Sequence, residues 1–129
     1  MGWRVALMQR VFSLAAAARR RRSTPEDFFR GRQANLRNFW ENTAHKDSEQ
    51  PLKAWLAEVT KATWTQPADI KVQYGNASII ANNRVVFNIK GNDYRLIVSV
   101  AYKMQWVYVK FVGTHKHYDA IDAETVEQF

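Results

Sequence analysis

The spacing of apolar residues changes once along this chain, from three and four upstream of about Trp64 to two downstream of Ala77. A period near 3.6 fits one face of a helix and a period of 2 fits one face of a strand, so the chain must set helices beside a sheet. Leu36, Phe39 and Trp40 carry the first helical pattern. Asp47-Ser48 then offers an N-cap before Leu52, Trp55, Leu56 and Val59 repeat it. A short third helix or turn is expected over 68–74, after Pro67 and ended by Gly75.

Strands are expected at Ala77 to Ala81, Arg84 to Lys90, Tyr94 to Tyr102 and Trp106 to Val112. Their connections, Asn82-Asn83, Gly91-Asn92-Asp93 and Lys103-Met104-Gln105, have the length and residue types of hairpin loops, which makes the sheet an antiparallel meander. Alternation puts Val85, Phe87, Ile89, Leu96, Val98, Val100, Val107, Val109 and Phe111 on one apolar face. The helices have to cover that face. The expected fold class is therefore α+β, with N-terminal helices packed on one face of a twisted antiparallel sheet of about four strands. The other face carries Arg84, Asn88, Lys90, Arg95, Tyr108 and Lys110.

At 129 residues there is room for one domain and a tail. The absence of cysteine excludes disulfides, Cys-liganded zinc and a thiol nucleophile. The net charge of +7 sits entirely in residues 1–37, which hold nine arginines against two acids. Within the balanced remainder, residues 84–118 carry six bases against Asp93 alone, and 119–129 carry four acids and no base. A solvating sheet face would mix in acids as cross-strand partners. A basic stretch inside a neutral domain instead suggests a local anion site, and cations interleaved with aromatics are how proteins hold the phosphates and stacked bases of RNA. Trp106 and Tyr108 are the candidates for stacking. Each cation taken singly is equally at home keeping a sheet soluble and blunting its edges.

The first 22 residues place an interrupted apolar stretch before Arg19 to Arg22, the reverse of a secretory signal, and that stretch is too short to span a bilayer. An Arg-rich, acid-free start also has features of an organellar transit peptide. Residues 1–30 are expected to form an Arg-rich, poorly ordered extension and 31–129 the folded domain.

Directly after the last strand comes Thr114-His115-Lys116-His117-Tyr118-Asp119. If it is helical, His115, Tyr118 and Asp119 share one side. His115, His117 and Asp119 have the residue types of metal ligands, but a single His-x-His with one acid has low specificity, and no metal or cofactor is assigned. His115 beside a basic patch fits general acid/base work, because imidazole titrates near neutrality. A structural cap for the last strand is the competing reading.

The run Asn82-Asn83-Arg84-Val85-Val86-Phe87-Asn88-Ile89-Lys90-Gly91-Asn92-Asp93-Tyr94-Arg95-Leu96-Ile97, with Phe111-Val112-Gly113-Thr114-His115 and Tyr118-Asp119-Ala120-Ile121-Asp122, resembles the HigB-type toxins of bacterial toxin-antitoxin systems. Asn35 to Glu41 and Gln50 to Trp55 fit the same pattern, so the resemblance spans roughly residues 35 to 126. It implies a RelE-like fold and a cytoplasmic endoribonuclease that cuts messenger RNA on the ribosome and is silenced by a helix-turn-helix antitoxin, with no part for a membrane. It also implies Lys90 and Arg95 as phosphate-binding and transition-state-stabilising residues and His115 and Tyr118 as acid/base or orienting residues, with Arg84, Asn88 and Lys110 as further RNA contacts. Related toxins open on a short strand near the initiator methionine; here Glu26 to Arg32 occupies that place, and only Phe28-Phe29 reads as strand.

RNA brings its own nucleophile, the 2′-hydroxyl, so such an enzyme has to move protons, hold the phosphate in line and neutralise a phosphorane, and needs no cysteine, serine or metal. A non-catalytic RNA-binding module using the same basic face is the alternative.

Overall fold

The computed structural model of the chain describes residues 4–6 and 34–129. A short strand β1 (Arg4–Ala6) is followed by helix α1 (Ala34–Glu41), a 3-10 segment (Thr43–Ser48), and helices α2 (Glu49–Thr60) and α3 (Pro67–Gln73). Strands β2 (Ser78–Ile80), β3 (Arg84–Ile89), β4 (Tyr94–Ala101) and β5 (Trp106–Thr114) then form the expected antiparallel meander, and a single turn of helix, α4 (His115–Tyr118), closes the order. The sheet order is β1-β5-β4-β3-β2, with β1 parallel to β5.

The α+β layering is as the periodicity implies. Leu36, Trp40, Leu52, Trp55, Leu56 and Val59 of the helices bury against Val85, Phe87, Leu96, Val98, Val100, Val107 and Val109 of the sheet. Burying side chains of this size is worth about 1.5–3 kcal/mol each, so this layer supplies most of what offsets chain entropy. The entry to α2 differs from expectation. Ser48 has helical backbone angles and makes no side-chain cap bond; its hydroxyl donates instead to the His45 carbonyl at 2.7 Å. The chain runs into α2 through the 3-10 segment, and the extended cap with a side-chain acceptor lies earlier, at Asn42.

The turns follow the local chemistry. Asn82 and Asn83 both have positive φ, as does the pair Lys90 and Gly91. The β3–β4 connection is four residues long, from Lys90 to Asp93, because Ile89 pairs with Tyr94. Lys90 is thus a turn residue and not the last member of the strand.

Two corrections concern the sheet faces. A bulge shifts the β4–β5 register: Ile97 pairs with Phe111, but Val98 pairs with Val109, leaving Lys110 as the extra residue. Beyond it the alternation inverts, so Phe111 leaves the helix-facing layer it was expected to join. It forms a second small cluster with Val86 and Ile97 on the opposite face. That face is not open to solvent throughout, since Ile121, Ala123 and Val126 of the C-terminal segment pack onto the cluster.

The sheet also has a fifth strand. Arg4–Ala6 pairs with Trp106, Val107 and Tyr108, so three residues of the stretch expected as an extension belong to the sheet edge. Phe28-Phe29, the anticipated strand, and the arginine block Arg19 to Arg22 lie outside the described residues. Among the described residues no helix is long and apolar enough to cross a membrane.

Candidate functional site

The residues singled out from the polar face separate into three groups. Arg84 is buried, 5% exposed, and its guanidinium donates to the carbonyls of Ala123 and Val126 at 3.2 and 2.7 Å and to Glu127 at 3.1 Å. The other carboxylate oxygen of Glu127 lies 3.1 Å from Lys110 Nζ. One acid of the C-terminal segment thus ties β3 to β5 across β4. Arg84 and Lys110 hold the tail down; neither presents an open cation to a ligand.

Lys90 leaves the face altogether. Its left-handed backbone turns the ammonium over the sheet's end to Asp47 Oδ2 at 2.9 Å and Asp93 Oδ2 at 3.0 Å. Asp47 belongs to the 3-10 segment in the helical layer and also accepts from the Tyr94 hydroxyl. The Tyr94 hydroxyl and Lys90 hold the Asp47 carboxyl below its usual value, and the two carboxylates, Asp47 foremost, push the Lys90 ammonium up. Burial, and then Asp47, raises the Tyr94 phenol to about 12.

Of the candidate cations, Arg95 remains on the polar face. It pairs across the sheet with Asn88 on one side and Gly113 on the other, half-buried. Its Nη1 donates to the carbonyls of Asn92 at 3.1 Å and Tyr94 at 3.3 Å, and its Cζ sits 5.7 Å from the centre of the Tyr118 ring. Two carbonyls and the Tyr118 ring hold the guanidinium, and among the described residues no carboxylate pairs with it.

The turn after β5 completes this corner. Thr114 caps it by accepting from the His117 amide at 3.1 Å, and the His115 amide donates to the Asp93 carbonyl at 3.0 Å. His115 Nε2 lies 3.6 Å from Asp119 Oδ1, as the spacing predicts for that pair, whereas Tyr118 packs on the Val86, Ile97 and Phe111 cluster. His117 turns the other way, edge-on to Phe111 at 5.1 Å between ring centres. His115, His117 and Asp119 are therefore not gathered around one point, and among the described residues no group of three or more His, Cys, Asp or Glu side chains could share a metal ion. Trp106 is buried and stacks on Tyr108, 6.2 Å between centres, so the two rings face each other before they face any base.

From the sequence His117 stands only as a candidate metal ligand, and Gly113 stands out for no role of its own. A Cβ on Gly113 would lie 2.6 Å from Phe111 Cζ and 3.1 Å from His117 Nδ1, so only glycine lets the two rings close over the strand beside Arg95. A glycine inside a strand that otherwise reads as apolar is the signal that marks such a close approach.

A helical layer on one face of an antiparallel meander, with Arg95, His115 and His117 near one corner of the sheet, defines a small basic α+β protein. The family model of the HigB toxin, the RelE-like toxic component of a toxin-antitoxin system, matches residues 48–121, more than half of the chain. The chain belongs to that family, and a toxin of such a system has an antitoxin as its partner. No curated protein matches the sequence closely enough to add to this assignment.

Proposed function

We propose that the protein is an endoribonuclease that cleaves messenger RNA, on the ribosome, by attack of the RNA 2′-hydroxyl on its own phosphate. The observation that carries the proposal is the Arg95 corner: a guanidinium fixed by two backbone carbonyls and the Tyr118 ring, with His115 on the adjacent turn. In-line attack breaks the bond to the 5′-oxygen and forms a 2′,3′-cyclic phosphate, passing through a phosphorane with one more negative charge than the substrate. Arg95 supplies the fork that binds two phosphate oxygens and is strongest when that charge develops. His115 is the group to take the 2′-proton or return one to the departing 5′-oxygen, and Tyr118 orients the substrate against Arg95. Asn88, opposite Arg95 on the next strand, offers an amide to the same phosphate or its sugar. None of these steps calls for a metal. The partner that silences the site is proposed to be a helix-turn-helix antitoxin, and the place of action the cytoplasm.

The test is induction of the full chain in bacteria with messenger RNA cleavage mapped by primer extension, followed by assay of the purified protein with and without chelator. Arg95→Ala should lose on the order of 10²-fold in cleavage rate while staying folded. EDTA should leave the wild type unaffected. An Arg95→Ala variant that cuts like the wild type overturns the assignment, and RNA binding without cleavage by the wild type favours a non-catalytic RNA-binding module.

A further inference from the structure

The four-residue loop between β3 and β4 touches both halves of the proposed site through its backbone. The Asn92 carbonyl accepts from Arg95 Nη1, and the Asp93 carbonyl accepts from the amide of His115. Within the loop, two successive left-handed residues form a turn closed by the Asp93 amide donating to the Lys90 carbonyl at 3.2 Å. Side chains then tie that turn to the rest of the molecule. The Lys90 ammonium reaches back to Asp93 within the loop and across to Asp47 in the helical layer, and Tyr94, the residue that ends the loop, donates to the same Asp47.

We propose that Lys90 is a positioning residue that locks the β3–β4 loop between Asp47 and Asp93, so that the loop's carbonyls hold Arg95 and the start of α4 in register for catalysis. This role replaces the direct phosphate contact expected for Lys90 from the sequence, and it rests on the ribonuclease reading of the Arg95 corner. With the Asp47 and Asp93 carboxylates within 3.0 Å, the ammonium is already paired with two acids. A phosphate would have to compete for it against two anions.

The experiment compares Lys90→Met, Asp47→Asn and their double variant in the full chain, with Lys90→Arg as the conservative replacement and Arg95→Ala as the control. Asp47→Asn keeps an acceptor for Tyr94 and removes only the charge. If Lys90 acts through Asp47, both single variants lose on the order of tenfold in kcat with little change in KM, and the double variant is no worse than either. Lys90→Arg restores the rate. The slope of binding to a single-stranded RNA oligonucleotide against salt is unchanged, and the His115 amide exchanges with solvent roughly two- to fivefold faster in Lys90→Met, the scale of an exposed ion pair. The proposal is overturned if Lys90→Met flattens the salt slope by about 0.7 while Asp47→Asn cuts like the wild type, because Lys90 would then touch phosphate itself. Wild-type rates with an unchanged His115 exchange overturn it equally. Should the wild type fail to cleave, or Arg95→Ala cleave normally, the ribonuclease reading has failed, and the His115 exchange alone decides whether Lys90 holds the loop.

Discussion

At the scale of single residues, position in the sheet decides what a cation can do. Arg84 and Arg95 stand on neighbouring strands and the same face, and residue type cannot tell them apart. Arg84 is covered by the tail and bonded to two carbonyls and Glu127, whereas half-buried Arg95 is bonded to two carbonyls of its own strand and loop and lies over the Tyr118 ring, with no carboxylate against it among the described residues. Arg84→Leu should cost about 2 kcal/mol, the scale of hydrogen bonds to a charged group, and leave cleavage per folded molecule unchanged. Thermal unfolding alongside the cleavage assay checks both halves, and loss of cleavage in a fully folded variant would restore Arg84 to the site. Gly113→Ala should be the opposite case. The added methyl meets Phe111 and His117, so an overpacking cost of about 1–3 kcal/mol is expected together with reduced cleavage, because those rings close the corner beside Arg95. A stable, fully active Gly113→Ala would show that the close approach is incidental.

At the scale of elements, the join between the 3-10 segment and the β3–β4 hairpin adds the ion pair of Asp47 with Lys90 to the edge-on packing of His45 on Tyr94. Its pH dependence follows from the directions of the shifts. Asp47 is held below its ordinary 3.8, so its contribution is present above about pH 4 and fades as pH falls through the lower folded-state value. Tyr94 is raised from 10.0 to about 12, so the stability linked to its proton is present below pH 10 and is lost as pH rises toward 12. The midpoint of thermal unfolding should therefore fall at both ends of that range. Asp47→Asn should flatten the acid limb, and an unaltered limb in this variant would place the acid-sensitive contact elsewhere. The hairpin itself was largely legible in the sequence: Gly91-Asn92-Asp93 marks a turn by its chemistry. That Lys90 joins the turn was not, because alternation along a strand carries no mark of where the strand stops.

At the scale of the whole molecule, the two free ends of the chain finish the sheet. β1 covers β5 at Trp106, Val107 and Tyr108, and Gln128 covers it beyond the bulge, donating to the Lys110 carbonyl at 2.9 Å and accepting from the Val112 amide at 2.8 Å. Deleting residues 1–25 should speed amide exchange at 106–108 and, with Arg4, Arg10 and Arg19 to Arg22 gone, weaken RNA binding at low salt by a margin that shrinks as salt rises. Exchange at 106–108 that is unchanged by the deletion would mean that β1 contributes nothing to that edge. The sequence by itself determined the layers: periods of 3.6 and 2 are local properties, and a face that is apolar at every second residue has to be buried wherever it lies. It determined the hairpins for the same reason, through Asn and Gly at the turns. Only the tertiary structure decided which of the basic residues stay exposed. The bulge at Lys110, the tail laid over Arg84 and the reach of Lys90 to Asp47 each depend on contacts between residues 11 to 43 positions apart, and no local pattern encodes such a contact.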